Sequence, residues 1–142
     1  MPPDAETASG AEIRSELERR VDVVEASYEL MLAYAAQGVT SDAQSANGAQ
    51  LREFLDRFDA ALTGLADLYR RLLALEQPDR QDAYSAFLEV LTQDARAAQA
   101  GLAVVRAQPG ISSQLVDNLN ASIHVRALLT DVFLIDELLK RS

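Results

Sequence analysis

The sequence contains no cysteine, no tryptophan, one histidine and one lysine. Without cysteine there are no disulfides, thiolate nucleophiles, iron–sulfur clusters or Cys-ligated zinc, so a small secreted domain stapled by bridges is excluded. The six glycines are scattered. A phosphate loop needs several of them just ahead of a helix, so no nucleotide signature is present. No stretch of roughly 18 apolar residues runs without a charge, which leaves no candidate membrane span.

Histidine chemistry is equally restricted. A carboxylate-bridged di-metal bundle needs a Glu-x-x-His motif on each of two helices. The single histidine is His124, and Ala121 stands three residues before it. Nothing else indicates a porphyrin pocket around His124. As a phosphate acceptor it lacks a basic residue at the right offset and a following glycine; Arg126 is misplaced for that role. As a general base it needs a partner within hydrogen-bond reach. Asn120 is one turn away, while Asp131 on the same face lies about 10 Å along the axis. Ser112 and Ser113 have no Asp/His partner nearby in sequence. No catalytic, cofactor-binding or metal-binding set is expected, and the chain is not expected to be an enzyme.

Charge is one-sided. The formal net charge is -9 and the pI about 4.5. Lys140 is the only lysine among 13 basic residues. The closest basic clusters are the pairs Arg19–Arg20 and Arg70–Arg71. Such a chain repels nucleic acid and anionic membrane surfaces, so neither is expected as a partner. The arginine bias and alanine richness point to a high-GC bacterial genome.

What is present is helical periodicity. The chain has 142 residues, with 49% hydrophobic and 25% charged, enough for one domain with a proper core. Residues 1–10, polar and small with Pro2 and Pro3, read as a flexible tail without signal-peptide character, so the cytoplasm is the expected location. Residues 11–142 read as a single all-α domain, an antiparallel four-helix bundle running up-down-up-down. Its helices are expected at about 11–37, 49–74, 80–107 and 113–140.

In the first helix, Ser9 with Glu12 fits a capping box. Ile13, Leu17, Val21 or Val24, Tyr28, Met31 and Ala35 follow at helical spacing, and Gly38 is the natural stop. In the second, Leu51, Leu55, Phe58, Leu62, Leu65, Tyr69 and Leu72 alternate steps of four and three, a heptad seam that Pro78 ends. The third repeats it with Tyr84, Leu88, Leu91, Ala95, Ala98, Leu102 and Val105, with Asp79 as the expected N-cap. Its small middle, including Gly101, lets a neighbouring helix come close.

Three surface features follow. Glu18, Asp22, Glu25 and Glu29 form an acidic stripe opposite the apolar face of the first helix, readable as a solvated face or as a dock for a basic protein partner. Asp117, Asn120, His124 and Asp131 line one face of the fourth helix and read as a solvated stripe. Near its end, apolar residues point nearly all round the axis. Of these, Leu128, Val132, Leu134, Ile135, Leu138 and Leu139 form a candidate interface. One apolar stripe suffices for a monomeric bundle, so a twofold homodimer is expected.

These features make the expected function that of a non-enzymatic, self-associating protein-interaction module, such as an adaptor, accessory subunit or small chaperone. The alternative is a bundle sensing a small molecule or anion, with Asn118, Ser122 and Arg126 lining a pocket. A buried Arg126 would require an anionic partner.

Overall fold

The seam of the second predicted helix is intact in the computed structural model: Leu51, Leu55, Phe58, Leu62, Leu65, Tyr69 and Leu72 are all buried. The helix that carries it is nevertheless two helices. The structure describes residues 9–140, which are all-helical with no strand. In chain order they form α1 (Gly10–Ala35), α2 (Gly48–Leu62), α3 (Leu65–Glu76), α4 (Gln81–Arg106), α5 (Ser113–Ala121) and α6 (Ile123–Lys140), with short 3₁₀ turns at Asp42–Gln44 and Pro78–Arg80. None of these helices is long and apolar enough to cross a membrane. Residues 1–8 of the expected tail lie outside the described residues, while Ser9 and Gly10 begin α1.

The break between α2 and α3 has identifiable physical partners. Gly64 takes the left-handed conformation, φ +72°, which a side chain would strain. A helix end leaves carbonyls without intrahelical donors, and here two remote side chains supply them. Arg20, held by Glu16 at 3.0 Å, donates to the carbonyls of Ala61 and Thr63. From α4, Gln99 Nε2 donates to the Asp59 carbonyl at 3.1 Å and to Thr63 Oγ1 at 3.0 Å.

The predicted fourth helix is also divided. Ser122 is extended (ψ 131°), and its Oγ accepts from the His124 N–H at 3.2 Å, starting a new helix. The third helix matches its expected span closely, with Leu88, Leu91, Ala95, Ala98, Leu102 and Val105 buried and Tyr84 half-buried. Asp79, however, sits in the 3₁₀ turn, and Arg80 holds the cap position without a side-chain cap bond. Gly101 gives the expected close approach: a Cβ there would stand 3.4 Å from the Leu119 side chain of α5. At the start of α1, Ser9 Oγ accepts from the Glu12 N–H at 3.1 Å and also bonds the Glu12 carboxylate at 3.2 Å.

One end of the molecule is locked by polar contacts between its two longest loops. Tyr34 is fully buried and donates to the Ile111 carbonyl at 2.6 Å. Ser113 Oγ donates to the Tyr34 carbonyl at 2.7 Å and accepts from Val39 N–H at 3.0 Å. Asp42 pairs with Arg52 at 2.6 Å and accepts from Ile111 N–H at 2.8 Å. Arg52 in turn donates to the carbonyls of Gln108 and Pro109 at 3.0 and 3.3 Å. The Arg52 hydrogen bond, then that from Ile111, hold the Asp42 carboxyl down to about 2.

Beyond this end the pieces separate. The short α5 packs on α1, whereas α6 packs chiefly on α4. The bend at Ser122 therefore leaves α6 standing off from the first half of α1, and a groove opens between them.

Candidate functional site

That groove is built on a hydrophobic floor: Leu17 and Val21 from α1, Tyr69 and Leu72 from α3, and Leu139 from α6, all buried. Its rim is charged. Glu18, Asp22 and Glu25 rise from α1 with Arg14, and Asp136 and Lys140 from α6, around a cavity of about 350 Å³. That lies at the small end of ligand-binding clefts, roughly 300–1,000 Å³.

The two cations on the rim are already engaged. Arg14 pairs with Glu76 at 2.5 Å and Lys140 with Asp136 at 3.2 Å. Among the described residues Glu18, Asp22 and Glu25 have no ion-pair partner, so none of these three carboxylates is held in a close salt bridge. Asp136 holds the Lys140 ammonium more firmly protonated, with weaker pulls from Glu137 and from Glu25.

Tyr69 adds a second, independent irregularity. Its side chain is wholly buried, yet among the described residues its hydroxyl has no hydrogen-bond partner. Leaving a buried hydroxyl unmet costs about 1–3 kcal/mol. Burial pushes the phenol pKa up, and the negative charge of Asp136 on the rim raises it further. An unionised phenol with free lone pairs under a wall of carboxylates is suited to accept from a cationic donor.

Of the acidic stripe read in the sequence, the structure brings Glu18, Asp22 and Glu25 to this groove; Glu29 is exposed but lies outside it. The facing residues, Tyr69, Asp136 and Lys140, were not part of that stripe. They come from other helices, and only the i,i+4 spacing of Asp136 and Lys140 was visible in sequence.

The other sequence-level sites are distributed differently. Leu128, Val132, Ile135 and Leu139 are 0–5% exposed and belong to the chain's own core, so they present no surface to a second copy. Leu134 and Leu138 are 49% and 37% exposed and remain available, next to Phe133 at 45%. The apolar circumference of α6 thus has two causes, burial against α4 and the core on one side and an outward strip on the other. For the alternative ligand set, Asn118 and Arg126 are exposed and Ser122 is half-buried. Arg126 is therefore not a buried charge in need of an anion.

The predicted solvated stripe on the fourth helix is corrected in two of its four positions. Asp117 and His124 are exposed, but Asn120 and Asp131 are buried, because the bend at Ser122 turns the two halves onto different neighbours. Among the described residues, the side-chain amide of Asn120 and Oδ2 of Asp131 have no hydrogen-bond partner. Burial raises the Asp131 carboxyl to about 7, helped by a hydrogen bond with Asp94 of α4 and by that residue's charge. His124 borders a shallow apolar hollow with Ala97, Gly101, Val104 and Val125. Among the described residues, no group of three or more His, Cys, Asp or Glu side chains could hold a metal ion.

Comparison of the chain with protein-family models, with curated proteins and with solved structures returned no match.

Proposed function

We propose that this chain is a non-enzymatic helical protein-interaction module, an adaptor, accessory subunit or small chaperone, that docks a basic partner segment in the groove between α1 and α6. The observation that carries the reading is the wall formed by Glu18, Asp22 and Glu25, three carboxylates that have no ion-pair partner among the described residues, above an apolar floor. Like charges spaced four and three along a helix repel one another, and a basic segment relieves that repulsion while covering the floor. The net charge of -9 speeds encounter with such a partner. In the same proposal α2 with α3, and α5 with α6, act as two bent columns of an antiparallel four-helix bundle. The outward strip of Phe133, Leu134 and Leu138 serves self-association.

The test uses a fluorescently labelled twelve-residue peptide of alternating lysine and alanine, read by anisotropy at low and physiological salt. Exposed ion pairs contribute about 0.2–1 kcal/mol each. Reversing three of them (Glu18→Lys, Asp22→Lys, Glu25→Lys) is therefore expected to weaken binding by roughly 5- to 100-fold. Equal binding by the wild-type and reversed chains would remove the groove from the account. For self-association, sedimentation of the wild type is expected to show a dimer that Leu134→Glu with Leu138→Glu dissociates. A wild type that stays monomeric at high concentration contradicts that part.

A further inference from the structure

The groove already holds a cation of the chain's own. Lys140, the only lysine, reaches Asp136 at 3.2 Å and feels Glu25 from the α1 wall. Its side chain is 69% exposed, and an exposed i,i+4 pair on a helix is weakly held and easily exchanged. Tyr69 lines the same groove and is fully buried, and among the described residues its hydroxyl has no hydrogen-bond partner. A weakly held ammonium in one groove with an unused acceptor is the arrangement of a subsite filled by a substitute.

We propose that the groove reads a single lysine side chain of a partner polypeptide, whose ammonium displaces Lys140 from Asp136 and, as the floor side chains give way around it, donates to the Tyr69 hydroxyl, which is closed to solvent in the unbound chain. This inference rests on the docking role proposed for the groove and names what it recognises there. Three features favour lysine over arginine. The cation now in place is an ammonium. The cavity, about 350 Å³, is small. The phenol offers one acceptor atom, which suits a point-like donor, whereas a guanidinium is a planar fork matched to bidentate acceptors. The floor of Leu17, Val21, Leu72 and Leu139 suits the four-carbon stem, which packs on apolar surface while its head stays polar. Lys140 then acts as a built-in competitor that sets the affinity.

The experiment titrates an N-acetylated heptapeptide with one central lysine among alanines into the wild-type chain, Lys140→Gln and Tyr69→Phe, followed by amide chemical shifts. Removing the competitor is expected to tighten binding ~1.5- to 5-fold, the worth of one exposed ion pair. Removing the acceptor is expected to weaken it ~10- to 150-fold, the worth of one charge-assisted hydrogen bond. With the same peptide carrying trimethyl-lysine, which keeps the charge but has no N–H, the wild type and Tyr69→Phe are expected to bind equally.

If Lys140→Gln and Tyr69→Phe both bind the lysine peptide as the wild type does, the inference is overturned. The docking role would still stand, provided that charge reversal of the α1 wall abolishes binding. An arginine peptide binding more tightly than the lysine peptide overturns the choice of lysine, and butylamine matching the peptide overturns a polypeptide source. No binding of the lysine heptapeptide or of the longer basic peptide to any of the three chains removes the inference and the docking role together.

Discussion

Replacing Asp131 by asparagine is expected to stabilise the protein above neutral pH, although most substitutions of a buried residue destabilise. Asp131 is 8% exposed, on the face of α6 that meets Asp94 of α4, and its Oδ2 has no hydrogen-bond partner among the described residues. Burial, reinforced by Asp94, raises its carboxyl from 3.8 to about 7. Between about pH 4 and pH 7 the folded chain keeps a proton that the unfolded chain has released. Stability therefore falls as pH rises through that window, since it declines wherever the folded state binds more protons. About three decades of proton affinity correspond to an upper limit of about 4 kcal/mol. Screening by solvent at the edge of the α4–α6 seam reduces this to an expected 1–3 kcal/mol, roughly. Asparagine keeps the shape, cannot ionise and offers N–H donors to Asp94. Urea unfolding followed by circular dichroism at pH 5 and pH 8 measures the effect. The variant should be roughly 1–3 kcal/mol more stable than the wild type at pH 8, with somewhat less than half of that difference left at pH 5. A variant less stable at pH 8, or a difference that does not change with pH, refutes the reasoning.

Three further substitutions probe the loop-locked end and the break. Asp42 has its carboxyl held down to about 2 by Arg52 and Ile111, so its contribution is present above about 3.8 and is lost as pH falls through about 2. Asp42→Asn should lower stability by about 1–3 kcal/mol at pH 7, with thermal melts converging on the wild type near pH 2. A Cβ at position 48 would stand 2.0 Å from the Asp42 carbonyl oxygen, so Gly48→Ala must push the Asp42 turn away from the start of α2. Gly64→Ala meets no neighbour but forces φ +72° on a side chain, at a cost of about 1–2 kcal/mol. Chemical denaturation should rank Gly48→Ala as the more damaging, and the reverse order contradicts the packing described for the loops.

Much of the helical content was legible because burial follows a period that a heptad count detects. The seam from Leu51 to Leu72 is continuous across the break, so the count could not register the break itself. Thr63–Gly64 separates two helices because Arg20 and Gln99 satisfy the carbonyls there, and both residues are remote in sequence. Ser122 was the more readable interruption, since a serine whose Oγ meets the N–H two residues on is a helix start. The acidic stripe was visible as spacing on one helix. Its opposite wall was not, because Tyr69, Asp136 and Lys140 reach it only through packing of α3 and α6. The burial of Asp131 was hidden for the same reason: a helical wheel places it beside His124 only while α5 and α6 are taken as one straight helix. Counting apolar residues around α6 could not separate the face it gives to α4 from the face it shows to solvent. Leu128 and Leu134 look alike in sequence but are 0% and 49% exposed.

The most direct test of the central claim is an amide chemical-shift titration of the isotope-labelled wild type with the twelve-residue lysine–alanine peptide at low salt. The account predicts shifts concentrated in residues 14–25 of α1 and 136–140 of α6, weakening as salt is raised. Shifts centred instead on the apolar hollow around Val104 and His124, or none at saturating peptide, contradict it.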